Sequence, residues 1–314
     1  MKKEFYIKEL LLIILFIIGL QELHAQQDTQ YTQYMYNPSI FNPGYAGTRD
    51  MLSVTTQYRA QWIGLEGAPR SFNVSANGPV NNTANLGMGI AFMSDQIGPA
   101  SDNTIAGDFA YRIALDRYTY LSFGLKGGVN LLNVDYSKLT VFDTREAQFR
   151  VNVNNRISPI VGAGAYVYSD LWYAGISVPN FLTTTHYKKS FSSVSNAKRR
   201  MTFYGIGGYV FYINNNLKFK PTVLTKYTKG APLIADVSAN FLINEKLTLG
   251  TSYRFSDSFS ALVGFQVNSN FLIGYSYDYT NTDLGSFNTG SHEIFLRFDF
   301  GSRRDLRLLS PRFF

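Results

Sequence analysis

KLTLGTSYRF (246–255), SFSALVGFQVN (258–268), NFLIGYSYDYT (270–280) and GSHEIFLRFDF (290–300) decide the fold. Each segment alternates with a period of two, which sends successive side chains to opposite faces of a strand. Leu247, Leu249, Tyr253, Phe255, Val263, Phe265, Ile273, Tyr275, Tyr277, Ile294, Leu296 and Phe298 fall on one set of faces. Glycine, hydroxyls and charges fall on the other, with Gly250, Ser252, Arg254, Gly264, Ser276, Asp278, Glu293, Arg297 and Asp299. A soluble sandwich buries its apolar face and dots the exposed one with Lys and Glu. Strands near ten residues long, aromatic on one side and small or polar on the other, are what a transmembrane β-barrel requires.

Working outward from that stretch, similar alternation predicts strands near 51–63, 70–80, 85–95, 103–115, 118–130, 157–168, 171–178, 201–213, 217–227 and 232–243. With the four quoted segments this makes an all-β, antiparallel barrel of about fourteen strands over residues 51–300, an even number as in bacterial single-chain barrels. Counted from a periplasmic N-terminus, the even connections are short and turn-forming: Asn81–Ala84, Asp116–Arg117, Ser169–Asp170, Asn214–Asn216, Asn244–Glu245 and Ser269. The odd ones include Gly64–Pro69, Gln96–Asp102, Leu131–Arg156, Pro179–Arg200 and Asn281–Thr289 and hold every long connection. Short periplasmic turns and longer extracellular loops are the barrel pattern.

Residues 1–25 read as a secretory signal peptide. Lys2, Lys3 and Lys8 precede an apolar run, Leu10 to Leu20, too short to span a bilayer as a helix, and Ala25 is a small exit residue. Cleavage there leaves Gln26 first. Composition agrees with a barrel: charged residues and aromatics are each 16% of the chain, and Tyr and Phe far outnumber Trp. With no cysteine, a disulfide framework and a Cys-based metal site are excluded. The net charge of +7 is concentrated in two places. Lys188, Lys189, Lys198, Arg199 and Arg200 lie in one odd, hence extracellular, loop, and residues 301–314 form a basic tail expected in the periplasm. Behind a signal peptide, such a cluster points to lipid phosphate, lipopolysaccharide or an acidic partner rather than nucleic acid, or else to a merely solvated loop.

Parity places Arg59, Asp108, Arg112, Lys126, Asp236, Arg254, Asp278, Glu293, Arg297 and Asp299 on the inner face, because charges facing lipid at mid-depth cost about 2–4 kcal/mol each. They read either as an ion or solute path or as paired charges bracing a filled lumen. Fourteen strands enclose a lumen of roughly 28 Å between opposing backbones, which side chains alone cannot fill. Catalysis is not expected. Ser291 and His292 point to opposite faces, no cluster has metal-ligand spacing, and no cofactor is implied. The pairs Gly127-Gly128 and Gly207-Gly208 lie within strands and read as relief of crowding or bending in the wall.

Residues 26–50 lack strand periodicity. Pro38 and Pro43 rule out a spanning strand, and Asn37 and Asn42 before them can form side-chain turns with the backbone. Tyr31, Tyr34, Tyr36, Phe41 and Tyr45 offer flat apolar surface with polar tips, suited to a wet pocket, while Gly44 and Gly47 permit close approach. Gln30 to Thr48 is therefore expected to fold in the lumen or at its periplasmic mouth as a plug-like segment. Tyr34, Asn37, Pro38, Asn42, Pro43, Tyr45 and Gly47 are the candidates for plugging or for contact with a partner.

The ordered set Gln33-Tyr34-Met35-Tyr36-Asn37-Pro38, Asn42-Pro43-Gly44-Tyr45-Ala46-Gly47, Tyr58-Arg59-Ala60-Gln61-Trp62, Pro69-Arg70-Ser71 and Gly290-Ser291-His292-Glu293-Ile294 resembles the PorP/SprF family of type IX secretion outer-membrane proteins. Gly44 stands where that family would carry Ala, and Phe295 where it would carry a smaller residue. The resemblance implies a non-enzymatic accessory or surface anchor in the outer membrane. It would act with components of the type IX secretion machinery and with a secreted surface protein, gliding adhesins among them, or that protein's C-terminal domain. A FadL-like channel for a hydrophobic solute is the alternative that a plugged fourteen-stranded barrel leaves open.

Overall fold

A computed structural model describes residues 30–80, 85–138, 152–182, 184–185 and 198–300. The wall begins with β1 (Leu52–Ala60), β2 (Arg70–Pro79), β3 (Leu86–Ile97), β4 (Ala100–Ala114), β5 (Tyr120–Val134), β6 (Val153–Tyr168) and β7 (Trp172–Val178). Two residues of β8 (Thr184–Thr185) pair with two of β9 (Lys198–Arg199) as a separate ribbon. The wall resumes with β10 (Thr202–Tyr209) and β11 (Phe211–Asn214), then β12 (Leu217–Thr228), β13 (Ile234–Ile243), β14 (Leu247–Arg254), β15 (Ser258–Asn268), β16 (Phe271–Thr280) and β17 (Ser291–Phe300). Every neighbour is antiparallel. β10 pairs with both β7 and β12, and β1 with both β2 and β17, so the sheet closes on itself and has no free edge. β10 and β11 are two pieces of one wall strand, which makes fourteen strands around the ring. Among the described residues no helix is long and apolar enough to cross a membrane; the strands form the wall.

The two faces separate as the alternation demands. Ile90, Leu125, Ile157, Val161 and Ile176 point outward and are exposed. Phe203, Tyr227, Tyr253, Phe255 and Tyr279 ring the outside at the end carrying the long connections, and Tyr118, Phe211, Phe241, Phe298 and Phe300 ring the other end. Two aromatic girdles flanking an apolar band are the signature of a membrane-spanning barrel. At one of the short turns Asp116 accepts hydrogen bonds from the Tyr118 and Thr119 amides at 2.7 and 2.8 Å. Those bonds, the Tyr118 amide first, hold its carboxyl below the usual range.

Several expected boundaries move. Gln96–Asp102 is not a loop: β3 and β4 continue in register through Gln96↔Ser101 and Ile97↔Ala100, leaving a two-residue turn at Gly98, whose φ of 52° is left-handed. β5 and β6 likewise run beyond residues 130 and 157, and the rest of that connection, 139–151, lies outside the described residues, as does Asn81–Ala84. β1 stops at Ala60 rather than 63. The strand expected over 201–213 breaks at Val210, which turns inward, donates its amide to the Leu171 carbonyl at 2.7 Å and packs on Leu242.

Candidate functional site: a segment held inside the barrel

Every residue from Tyr31 to Arg49 is buried, a run of side chains without period that no membrane strand could supply. The segment folds as three short 3-10 turns, Tyr34–Tyr36, Pro38–Ile40 and Pro43–Tyr45. Proline opens the second and third, where its missing amide costs nothing and its fixed φ starts the turn. The path runs the length of the lumen. Thr32 and Gln33 sit beside Glu293 at the long-connection end. Tyr36 descends to pack at a tilt against Phe295, ring centroids 5.1 Å apart. Phe41 climbs back towards the ring of Tyr204 and accepts a hydrogen bond from Ser177 through its carbonyl. The chain then descends past Tyr166 to Arg49, which pairs with Asp299 at 2.8 Å at the short-turn end and leads into β1.

The segment's polar atoms bond to the wall. The Thr32 and Gln33 amides donate to the two carboxylate oxygens of Glu293 at 2.8 and 3.0 Å. The Thr32 hydroxyl donates to Asp278 at 2.7 Å and accepts from Arg59 at 3.0 Å. The Tyr34 hydroxyl meets the Thr222 hydroxyl at 2.9 Å. The two Asn-Pro asparagines diverge. Asn42 forms the expected side-chain turn, accepting from the Gly44 amide at 2.9 Å, while its amide group donates to the Ala165 carbonyl at 3.0 Å. Asn37 forms no such turn with the backbone. It accepts from Ser39 and donates to Gln57 and Ser75 of the wall. The aromatic side chains are buried: Tyr31, Tyr34, Tyr36, Phe41 and Tyr45 are each at most 4% exposed, and Tyr31 and Phe41 border a cavity with Asp95 and Asn180.

Inward-facing glycines make room for this packing. A Cβ on Gly124 would land on Pro43 and the Gly44 nitrogen, one on Gly87 on Ala46, and one on Gly164 on the Asn42 side chain. Gly47 takes a φ of 78° against Gly87. Gly128 and Gly208 face crowded ground within the wall, whereas Gly127 faces open space. The departure at Phe295 is part of the same packing, since its buried ring meets Tyr36.

The inward charges form pairs. Arg59 contacts Asp278 at 2.6 Å and Glu293 at 3.2 Å, Lys126 contacts Asp108 at 2.9 Å, and Arg254 contacts Asp236 at 2.8 Å. Arg297 lies 3.5 Å from Asp299, and Arg112, half-buried, pairs with Asp50 at 2.8 Å. Three of these pairs are strand neighbours in register: Arg59↔Glu293, Asp108↔Lys126 and Asp236↔Arg254. The parity list omits four buried cations, Lys218, Lys220 and Lys226 of β12 and Arg49 of the segment. The first three occupy inward positions of the same alternation that exposed the others. Of the two readings left open for these charges, the geometry fits bracing of a filled lumen. Two cavities at the long-connection end measure about 10 and 80 Å³.

Of the basic cluster, Lys188 and Lys189 lie outside the described residues, Lys198 and Arg199 form the short ribbon, and Arg200 is exposed and donates to the Lys229 carbonyl at 2.7 Å. Ser291 is buried inside, while His292 faces out and shares a 2.6 Å hydrogen bond with the Tyr275 hydroxyl. Among the described residues no group of His, Asp or Glu could hold a metal ion.

A family model described as type IX secretion system membrane protein PorP/SprF matches residues 23–298. No curated protein matches. Among solved structures the chain is similar to the CymD monoaromatic hydrocarbon channel, at 9% identity and a TM-score of 0.51 over 89% of this chain and 95% of that one. It is also similar to the outer membrane protein Omp33 of Acinetobacter baumannii, at 8% identity and a TM-score of 0.47 over 81% of this chain and 100% of that one. A Pseudomonas aeruginosa FadL homologue aligns at 11% identity and a TM-score of 0.46 over 85% and 94% of the two chains. At 9% identity the likeness to the CymD channel is one of fold alone.

Proposed function

We propose, for a chain that belongs to the PorP/SprF family of type IX secretion system membrane proteins, the role of a plugged, non-enzymatic outer-membrane accessory that supports display of a secreted partner at the cell surface. The observation that carries this reading is the unbroken burial of Tyr31 to Arg49 within the lumen. A barrel so occupied is a fixed body in the membrane rather than a conduit for a polypeptide. Its service to a secreted protein is then to hold or present it, together with other components of the secretion machinery. The outer rim, with the basic cluster at 188–200, is the face available to that partner, or to the phosphates of lipid and lipopolysaccharide. No chemistry is asked of the chain in this reading: among the described residues Ser291 faces the lumen and His292 the outside, so that pair does not act together.

The channel reading is less well supported. A carrier of a hydrophobic solute needs a continuous apolar route, yet the wall facing the segment carries Lys220, Asn240, Ser276, Glu293 and Arg297, all buried. The larger of the two cavities, about 80 Å³, is about half the 150 Å³ of an engineered apolar cavity that takes up benzene. The test is affinity capture from native membranes with mass spectrometry, run on the wild type and on a chain lacking Gln30 to Thr48 behind an intact leader. The expected result is a secreted surface protein enriched with the wild type and lost with the deletion. The deleted barrel should still insert, still run faster unheated than boiled, and admit large antibiotics. Capture of no secreted protein together with impaired uptake of a hydrophobic solute in a null strain would favour the channel.

A further inference from the structure

The direction in which the lumenal segment is threaded has a consequence for where the chain begins. β1 starts and β17 ends at the short-turn end of the barrel, which is the periplasmic end in bacterial barrels. Ala46, Gly47 and Arg49 lie at that end, against Gly87, Gly78 and Asp299. Gln30 and Tyr31 lie at the opposite one. Gln30 borders a cavity with Lys226, Ile234 and Asp236, next to the long-connection ends of β12 and β13. Tyr31 borders another with Asp95, Asn180 and Arg200. Read backwards from β1, the chain therefore crosses the whole lumen and reaches the outer mouth at Gln30.

We infer that the amino terminus of the mature protein is exposed on the outer surface of the cell. Gln26, the first residue after cleavage at Ala25, lies four positions before Gln30. Fully extended they reach about 14 Å. The apolar band of an outer-membrane barrel is about 25 Å tall, so even an empty lumen could not return Gln26 to the periplasm. The lumen is also taken, because the segment buries its aromatic side chains along the route. A secreted chain arrives in the periplasm, so this placement also requires the segment to be laid into the barrel before β1 and β17 pair. Contacts at both of its ends fall on that seam: Glu293 of β17 holds Thr32 and Gln33, and Asp299 of β17 holds Arg49 together with Ser53 of β1. The inference rests on the orientation of the barrel and on leader cleavage, and does not depend on the role in secretion.

The chain has no cysteine, so a single introduced thiol can be read without background. Gln27→Cys, Ser286→Cys in an exposed long connection and Asn215→Cys in an exposed short turn would each be treated with a membrane-impermeant maleimide, on intact and on permeabilised cells. Thr29→Cys serves as a second position should the first fail to reach the membrane, and an unheated gel shift verifies that each variant is folded. Labelling of positions 27 and 286 on intact cells, with 215 reacting only after permeabilisation, is the expected result. Protection of position 27 on intact cells while 286 reacts would overturn the inference. So would labelling of 215 with protection of 286, which would reverse the barrel, or failure of position 27 to react under either condition.

Discussion

Replacing Glu293 with alanine should unseat the leading turn of the lumenal segment while leaving the wall standing. Glu293 is fully buried, and its two oxygens receive the Thr32 and Gln33 amides and one nitrogen of Arg59. Removing the carboxylate leaves two buried backbone amides without their acceptor, at about 1–3 kcal/mol each. Arg59 keeps Asp278 at 2.6 Å, so its charge is not stranded. The chain can relieve the amides by lifting Gln30 to Gln33 into the outer mouth, where water satisfies them, at the expense of the buried Tyr31 side chain, worth about 1.5–3 kcal/mol. A net change of about 3 kcal/mol moves the ratio of seated to unseated forms by roughly a hundredfold. The wall ladder through Tyr58↔Ile294 and Arg59↔Glu293 is backbone bonding and survives. In planar bilayers Glu293→Ala should therefore show more frequent and larger openings than the wild type, with the heat-modifiable gel shift retained. Glu293→Gln keeps one carbonyl acceptor and should fall between. Wild-type conductance with a wild-type melting temperature would refute the reasoning. Loss of the folded barrel altogether would place Glu293 in closure of the wall rather than in seating the segment.

Gly124→Leu should lower the temperature at which the folded gel form is lost, through overpacking of about 1–3 kcal/mol against Pro43 and Gly44, whereas Gly127→Leu, at a position where an added Cβ meets nothing within 4 Å, should leave it unchanged. Changing Lys188, Lys198 and Arg199 to Glu should weaken binding of lipopolysaccharide or of an acidic partner, most at low ionic strength because salt screens the attraction between opposite charges. Unchanged binding at low salt would show that the loop is only solvated.

The periodicity of the strands carries most of the wall. Alternation at Leu247, Leu249 and Tyr253 against Thr248, Gly250 and Arg254 is a local property, because lipid on one side and a polar interior on the other select residues strand by strand. The same parity put Arg59, Asp236 and Glu293 inside, and turn residues at Asp116 and Asn244 marked the short end. Where the wall rises clear of that two-sided selection the pattern fades, and the tops of β3 to β6 were read as loops for that reason. The register shift between Tyr212 and Asn214 was hidden too, because Tyr212 and Ile213 are both outward apolar residues. In the N-terminal segment two prolines and the absence of a period were enough to say that it is folded yet not part of the wall. Its route was not legible. Glu293 with Thr32, Asn42 with Ala165 and Phe41 with Ser177 join residues more than a hundred positions apart. Such pairs come into being only as distant strands assemble and the lumen acquires its shape. Sequence by itself determined the two faces of the wall, the number of its strands and the end carrying the short turns, since each follows from neighbours along the chain. Closure alone decided that the segment threads the whole lumen and begins at the outer mouth, since its partners there are assembled from strands far apart in sequence.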